Sequence, residues 1–426
     1  METLTLTSRR TALFVVLASG IFSLVGNRRG IGISWDSTDY IAVGLSMSAG
    51  RGALDVTGHP MVIRPPGLSA FVTLGDWLSV SPEVTLRLVN ALSMMVLVWA
   101  THQLLVRAGV RATAKWVGVA LVALSPALLD IFTMAWSEPP FLALVVIAML
   151  IVTRQRAWPW DLALAAIFTA MFFVRYVGPF YAAPLALVAA IVQSRRSGWW
   201  LSFMRAGIAL AVSMVLPWLW LMRNKEISGY LTGYREPGGG TLLDPLKTFT
   251  GTLGSWLIAR PPLAGNGGVY LNWNDFSAYM KVAGVLVWVL LISLSLRYVI
   301  VRRAQRRDSK VQQHYSPVFG ASLALFVFYG AFSVYRFVYD EMGPLDSRMM
   351  SGLYVPLILM LVIAADTLRA DASRVSRGFA RTLAVLCIVV VVGHGAVSLR
   401  DSVRYGNQGR HWGSIDHKLL PIHLFA

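Results

Sequence analysis

The loop that follows the first apolar run of the chain contains the sequence WDSTDY at Trp35–Tyr40 and ends in RPPG at Arg64–Gly67. Carboxylates and an arginine are costly to keep beside a bilayer, because ionised groups lose hydration there. A chain that retains them so close to apolar segments has a use for them. Pro65 and Pro66 exclude a helix across the end of the loop. The surrounding sequence reads as a membrane scaffold for this loop.

The composition of the whole chain indicates a membrane protein. Of its 426 residues, 56% are hydrophobic and 14% are charged, whereas soluble domains average about 25% charged residues. The sequence pI is about 10.4, but the basic residues lie in short clusters between apolar runs. Such clusters set membrane topology, and we expect no nucleic-acid partner. The single cysteine, Cys387, excludes an intrachain disulfide framework.

Apolar runs of about 17 to 25 residues recur along the chain, and each is long enough to cross a bilayer. They predict an all-α polytopic protein with about eleven transmembrane helices, in a range of 11–13. We place them near residues 11–26, 84–106, 114–131, 139–153, 160–176, 178–194, 205–222, 281–301, 316–337, 351–368 and 380–398. The first is taken as an uncleaved span after Arg9 and Arg10. Residues 1–426 are therefore predicted to form one transmembrane domain with no separate soluble domain.

The distribution of charge predicts the topology. The apolar segment at residues 67–80 is short and interrupted by Gly75 and Asp76, and we expect it to be re-entrant or interfacial and not to cross the membrane. The short basic connectors then all fall on the cytoplasmic side. This arrangement predicts a multi-pass protein of the inner (plasma) membrane with a cytoplasmic N-terminus and an external C-terminus. The two long connections, 27–83 and 223–280, become external, and long loops on compact proteins usually carry function.

The acids of the first external loop are the first candidates for chemistry. Asp36 and Asp39 are three residues apart and share one face of a predicted helix at 34–49, with Tyr40 next to them. This helix is expected to be amphipathic and to lie along the membrane. The alternative is that Asp36 only caps the helix and Asp39 is solvated.

Four arginines are predicted at the external membrane interface, namely Arg64, Arg175, Arg223 and Arg348. A guanidinium binds phosphate through two parallel hydrogen bonds, which suits an anionic head group on a lipid tail. Each one alone is more often an interfacial anchor, but their joint placement favours phosphate binding. Glu138 begins a predicted span, where it either interacts with the helix dipole or orients an arginine or an acceptor.

Other signals are weaker. His59 lies beside Pro60 and could be a ligand, but it has no partner at ligand spacing. The second loop contains EPGGG at 236–240, which is a flexible joint, and this loop is either a linker or a lid. The chain has no P-loop, no nucleophile elbow and no HExxH motif. Nucleotide hydrolysis and zinc proteolysis therefore have no support.

Taken in order, these motifs make the chain similar to a known superfamily. It resembles the GT-C superfamily of polyprenyl-phosphate-sugar-dependent glycosyltransferases, in particular the branch with protein O-mannosyltransferases and aminoarabinose transferases (glycosyltransferase family 39 and its bacterial relatives). The likeness covers most of the chain. It runs through DSTDY at 36–40, RPPG at 64–67, Ser81-Pro82, Ser125-Pro126, SEP at 137–139, Pro217-Trp218 with Arg223-Asn224, and Arg348 with Pro356.

The resemblance implies a GT-C fold and transfer of a sugar from a polyprenyl-phosphate donor to a hydroxyl of a glycan, lipid or protein acceptor at the external face, with inversion. It implies that Asp36 is the catalytic base and that Arg64 and Arg223 contact the donor phosphate. Several branches carry adjacent Asp-Glu, whereas Ser37 follows Asp36 here, and the second acid is assigned to Asp39. We assign Arg348 and Arg175 to the phosphate as well, and Tyr40, His59 and Glu138 to supporting or acceptor contacts.

Most members of this branch need no metal, so no cofactor is expected. A divalent cation, Mg²⁺ or Mn²⁺, between Asp36 and the phosphate is the alternative. Two other functions stay open, a transporter or flippase of a lipid-linked glycan and a GT-C partner subunit without catalysis. Transporters usually carry charges near the bilayer midplane and paired halves with broken helices. Here the charges concentrate at one face, which favours the enzyme.

Overall fold

The computed structural model of the protein describes residues 6–154, 157–235, 241–258, 274, 276–307, 316–339, 345–369 and 374–408. Within these ranges the chain forms seventeen α-helices and no β-strand longer than an isolated bridge. The helices are α1 (Leu6–Gly26), α2 (Trp35–Ser48), α3 (Gly67–Trp77), α4 (Pro82–Arg107), α5 (Ala112–Ala123), α6 (Pro126–Phe132), α7 (Glu138–Val152), α8 (Pro159–Val174), α9 (Gly178–Ser197), α10 (Trp199–Ser213), α11 (Val215–Ser228), α12 (Leu243–Ile258), α13 (Ala278–Arg307), α14 (Pro317–Tyr339), α15 (Ser347–Met350), α16 (Tyr354–Arg369) and α17 (Arg374–Gln408).

The helices confirm a multi-pass membrane architecture. Five segments of the described chain are long and apolar enough to cross a bilayer, and the bent pair α5–α6 makes a sixth if it counts as one span. The five are Pro82–Arg107, Trp199–Ser228, Ala278–Leu296, Pro317–Tyr339 and Ser347–Arg369. Three further apolar helices are shorter. All eleven predicted runs fall in helices, but the number of eleven crossings stays a prediction.

Helices α2 and α3 form a pair within residues 27–83. Helix α3 has 11 residues and is about 16 Å long, roughly half the thickness of the hydrocarbon core. The two helices approach closely because Gly44 has no side chain, and a Cβ there would lie 2.5 Å from Cβ of Val72. Thr73 Oγ1 donates a hydrogen bond to the Gly44 carbonyl at 3.0 Å. The apolar segment at 67–80, predicted not to cross the membrane, thus forms a short helix that packs on α2.

Buried amides hold the start of α2 near the start of α7. Asn27 Nδ2 donates to the Phe132 carbonyl at 3.0 Å, and Asn90 Nδ2 donates to the carbonyls of Phe132 and Met134 at 2.9 Å. Gly32 pairs with the same segment through a parallel bridge to Met134. Because the segment after α6 is anchored to α1, α4 and the α1–α2 loop, the beginnings of α2 and α7 are fixed relative to each other.

Helix α7 lies at the centre of the bundle. It is apolar on all sides, and almost every residue from Glu138 to Val152 is buried, as expected for a helix surrounded by others. It packs on α4, α8 and α9. The one carboxylate of α7, Glu138, is therefore enclosed by protein at the first turn.

The second long connection, for which a linker and a lid both stay open, contains a helix that the sequence did not predict. This helix is α12, whose glycines allow close packing on α13, since a Cβ at Gly254 would collide with the Met280 carbonyl. Thr252 Oγ1 donates to the Leu345 carbonyl at 2.7 Å, and Trp256 Nε1 donates to Ser347 Oγ at 3.1 Å. Helix α12, with 16 residues, thus supports the segment before α15. Residues 236–240, which predicted a flexible joint, lie outside the described residues, as do residues 409–426.

Candidate functional site

The first turn of α2 is capped by serine. Ser34 has an extended backbone, and its N–H donates to Ser37 Oγ at 3.0 Å. The two hydroxyls are 3.2 Å apart, and Trp136 Nε1 also donates to Ser34 Oγ at 2.8 Å. The alternative in which Asp36 caps this helix is therefore wrong, because Ser34 occupies the cap position. Asp36 projects instead toward the arginines described next.

Arg64 joins the two acids of α2. Its Nη2 donates to Asp36 Oδ1 at 2.5 Å, and its Nη1 donates to Asp39 Oδ2. The acids share one face of the helix as their spacing predicts. The three side chains are between 18% and 27% exposed, so none of them is fully enclosed by protein.

Two further arginines extend this contact to α7. Arg348 Nη2 donates to Asp36 Oδ2, and Arg348 Nε donates to Glu138 Oε1 at 2.6 Å. Arg175 Nη1 forms an ion pair with the same Oε1. Acids and arginines therefore alternate without a break. We call this set the ion-pair chain; its members in order are Asp39, Arg64, Asp36, Arg348, Glu138 and Arg175.

The electrostatics of the ion-pair chain keep Asp36 ionised. Burial alone raises the pKa of Asp36, but the charges of Arg348 and Arg64 and the hydrogen bonds that they donate hold this pKa well below its usual range. A folded-state pKa below the unfolded value of about 3.9 stabilises the fold at higher pH, and this stabilisation is lost as the pH falls through the folded-state pKa. At neutral pH Asp36 is a carboxylate with both oxygens engaged.

The segment WSEP at Trp136–Pro139 contacts two of these arginines and Tyr40. The Arg348 guanidinium carbon lies 4.1 Å from the centre of the Trp136 ring, within the range of a cation–π contact. Ser137 Oγ accepts hydrogen bonds from Tyr40 Oη at 3.1 Å and from Arg175 Nη1 at 3.3 Å. Tyr40 thus contacts the segment that carries Glu138.

A cavity of about 330 Å³ opens over the ion-pair chain. Its charged lining is one acid and five arginines, namely Asp36, Arg64, Arg175, Arg235, Arg336 and Arg348. Its aromatic lining is Tyr40, Tyr176, Phe180, Tyr329 and Phe332. A cavity with this excess of guanidiniums suits an anion, and aromatic walls suit an apolar or sugar moiety beside that anion.

Two of the lining arginines were missed by the sequence reading. Arg336 lies near the end of α14 and falls inside the apolar run at 316–337, while Arg235 precedes the glycine-rich segment. The available signal was their nearness to acidic residues on the predicted external side, since Glu236 follows Arg235 and Asp340 and Glu341 follow Arg336 in the sequence.

Asp39 and Glu138 belong to the ion-pair chain without lining the cavity, and two further predicted site residues belong to neither. Arg223 does not line the cavity; its Nη1 donates to the Met61 carbonyl at 2.8 Å, and its guanidinium lies 4.5 Å from the Trp220 ring centre. It supports the backbone that leads to Arg64. His59 is exposed, and its Nδ1 is 2.8 Å from Thr57 Oγ1 within a local turn. The geometry gives neither residue a direct contact with the cavity.

The acids do not fit a metal site as they are arranged. Among the residues that the structure describes, no group of three or more His, Cys, Asp or Glu side chains is placed to hold a metal ion. Both oxygens of Asp36 and one oxygen of Asp39 and of Glu138 already accept from arginine. The second oxygen of Glu138 is buried without a hydrogen-bond partner, but a single oxygen is too few ligands for a metal ion. A divalent cation would have to displace guanidiniums and sit among like charges.

Comparison with known proteins supports the fold. No protein-family model and no curated protein matches the sequence. The structure is similar to that of ArnT from Cupriavidus metallidurans in the apo state, with a TM-score of 0.58 and 13% identity over 94% of this chain and 78% of ArnT. The same protein bound to undecaprenyl phosphate gives a TM-score of 0.54 and 14% identity over 92% and 75% of the two chains. At this identity the likeness shows the fold alone, and it confirms the expected GT-C fold.

Proposed function

We propose that the protein is an integral membrane glycosyltransferase that moves a sugar from a polyprenyl-phosphate donor to an acceptor hydroxyl. The observation that carries this proposal is the cavity in which one ionised aspartate adjoins five guanidiniums. The shared fold with ArnT, which has been seen bound to undecaprenyl phosphate, supports a lipid phosphate as the anion. The acceptor is a glycan, a lipid or a protein.

The donor phosphate binds to Arg64 and Arg348, with Arg175 next to them. Guanidinium forks hydrogen-bond phosphate oxygens bidentately and are more weakly hydrated than ammonium groups. The ion-pair chain holds these side chains in place before the donor arrives, because each guanidinium already has a carboxylate partner. Preorganised donors of this kind stabilise developing charge without reorganising during the reaction.

Donor binding also activates Asp36. In the free protein, Arg64 and Arg348 each bind one oxygen of Asp36 and thereby lower its basicity. A phosphate that draws these guanidiniums away weakens both contacts, so that Asp36 becomes a better proton acceptor. As the bond to the leaving phosphate breaks, more negative charge develops there and the hydrogen bonds that the arginines donate to it strengthen. Activation of the base and stabilisation of the leaving group are therefore coupled.

The reaction is an in-line displacement at the anomeric carbon. The acceptor oxygen forms a bond to this carbon from the face opposite the phosphate, and the proton of its hydroxyl passes to Asp36. The bond between the anomeric carbon and the phosphate oxygen breaks, and its electron pair leaves on the polyprenyl phosphate. One displacement gives inversion. A positioned base contributes about 10²–10⁴-fold to such a rate.

We place this chemistry at the external face of the inner membrane, because the short basic connectors predict the opposite end of the bundle to be cytoplasmic. No nucleotide donor is required at that face. The reaction as written uses only side chains of this protein and no metal or other cofactor. Tyr40 and Glu138 hold the arginines and Asp36 in position through Ser137 and the shared ion pairs.

Replacement of Arg64 is expected to weaken donor binding. Arg64→Ala removes a two-pronged charged contact, and we expect the Kd for undecaprenyl phosphate to rise about 10- to 100-fold, as for loss of a charge-assisted hydrogen bond. Arg64→Lys keeps the positive charge but cannot donate two parallel hydrogen bonds, so its Kd should fall between those of wild type and Arg64→Ala. The measurement is equilibrium binding of undecaprenyl phosphate to the purified protein in micelles.

Arg205→Ala is the matched control, because Arg205 is also half-buried and ion-paired, with Asp161, but does not line the cavity. It should leave the Kd unchanged. Equal affinity of wild type and Arg64→Ala, or equal losses in Arg64→Ala and Arg205→Ala, would remove Arg64 from the phosphate site. The transporter alternative is tested with the protein reconstituted in vesicles that contain a labelled donor. Movement of the donor across the membrane without any transferred product would contradict the proposal of an enzyme.

A further inference from the structure

A second cavity, of about 270 Å³, lies between α9 and α14. The α9 wall runs from Leu187 to Arg195 with residues spaced by three or four, so that they share one face of the helix. The α14 wall runs from Pro317 to Phe328 with the same spacing, and Gly320 and Ala324 keep it open. Of the described residues that line this groove, Arg195 alone carries a charge.

The groove lies at the far end of the bundle from the arginine cavity. Helix α9 begins at Gly178, beside the cavity residues Val177 and Phe180, and ends at Ser197. Its 20 residues span about 30 Å, which is the thickness of the hydrocarbon core. Arg195 therefore lies at the opposite membrane face from the ion-pair chain.

Two arginines at this end of the bundle have partners within the protein. Arg205 pairs with Asp161, and Arg107 Nη1 donates to Thr153 Oγ1 at 2.9 Å. Arg195 is exposed at the mouth of the groove and forms no ion pair with any residue of the described chain. An arginine at the rim of an apolar groove that faces lipid is complementary to a molecule with an anionic head and an apolar chain.

We propose that this groove binds an anionic glycerophospholipid, with an acyl chain between α9 and α14 and its phosphate on the Arg195 guanidinium. The apolar side chains of Leu187, Ile191 and Val327 are more than a third exposed. An acyl chain can cover these side chains without burying any polar group. The polyprenyl tail of a donor held at the far end would place only carbon beside Arg195 and would leave its charge without a partner. The site does not depend on the proposed sugar transfer.

Lipid retention by the purified full-length protein tests this site. The protein is reconstituted in an equimolar mixture of phosphatidylglycerol and phosphatidylcholine, extracted in mild detergent, and its bound lipids are counted by native mass spectrometry. We expect wild type to retain phosphatidylglycerol over phosphatidylcholine by about fivefold, the preference that one interfacial arginine supplies. Arg195→Gln should lose this preference. Ala324→Leu, which fills the groove, should lower retention of both lipids.

Arg196→Gln is the matched control, because Arg196 is the next residue of α9 and is also exposed but does not line the groove. It should keep the preference. Equal effects of Arg195→Gln and Arg196→Gln would show only general attraction to the membrane surface and would overturn the proposal. A second outcome would also overturn the proposal. If added undecaprenyl phosphate displaces the phospholipid from wild type but not from Ala324→Leu, the groove holds the donor tail.

Discussion

Asp36→Asn is expected to lower sugar transfer by about 10²–10⁴-fold, the contribution of a positioned general base. The substitution keeps the shape of the side chain but removes its ability to accept the acceptor proton. Affinity for undecaprenyl phosphate should be unchanged or higher, because Arg64 and Arg348 lose a competing carboxylate. Transfer of a labelled sugar from a polyprenyl-phosphate donor in membranes, together with donor binding, measures both effects.

Asp39→Asn is the control for charge, because the ion-pair partner of Asp39 within the described residues is Arg64 and Asp39 does not line the cavity. We expect a loss of less than about tenfold there, in line with a supporting contact of about 1 kcal/mol. Undiminished transfer by Asp36→Asn would remove Asp36 from the mechanism.

In wild type, the pKa of Asp36 in the free protein is held below its usual range by Arg348 and Arg64 against the effect of burial. The rate at low donor concentration should therefore show no loss from protonation of Asp36 between about pH 5 and 7.

Glu138→Gln is expected to have the largest effect on stability. The Glu138 side chain is 2% exposed and accepts from Arg348 and Arg175 at one oxygen. Its replacement leaves two largely enclosed guanidiniums with one counter-charge fewer, and removal of one partner from a buried ion pair costs about 3–5 kcal/mol. Thermal unfolding of the purified protein in detergent should show a clear fall in the midpoint. Donor binding should weaken as well, because both arginines lose their anchor.

Asp366→Asn provides the comparison. Asp366 pairs with Arg111, whose side chain is 45% exposed, and exposed pairs of this kind contribute about 0–1 kcal/mol. Its midpoint should stay close to wild type. If the two variants unfold at the same temperature, Glu138 is not the electrostatic anchor of the arginines.

The parts of the site that are close in sequence could be predicted. The spacing of Asp36 and Asp39 determines a shared helix face, and Arg64 follows in the same loop before a rigid Pro-Pro. The apolar runs likewise predicted helices, because length and composition decide whether a segment can be helical within a bilayer.

The remainder depends on packing between distant helices. The contact between Arg348 and Asp36 spans 312 residues, and nothing in local periodicity fixes how those helices meet. The same reason explains why Arg223 could not be separated from the cavity arginines. Arg223 lies at the end of an apolar run as Arg175 does, but it turns toward the Met61 carbonyl. Helix α12 was missed because its glycines and threonines reduce its apolar signal, while close packing on α13 stabilises it.

A structure with a bound donor analogue tests sugar transfer at this cavity most directly. The analogue is an undecaprenyl phosphonate in which carbon replaces the scissile oxygen, so that the sugar stays attached. We expect phosphonate oxygens within about 3 Å of guanidinium nitrogens of Arg64 and Arg348. The carboxylate of Asp36 should be released from at least one arginine and face the anomeric carbon. A phosphonate bound outside the cavity, with Asp36 still paired to both arginines, would contradict the proposed function.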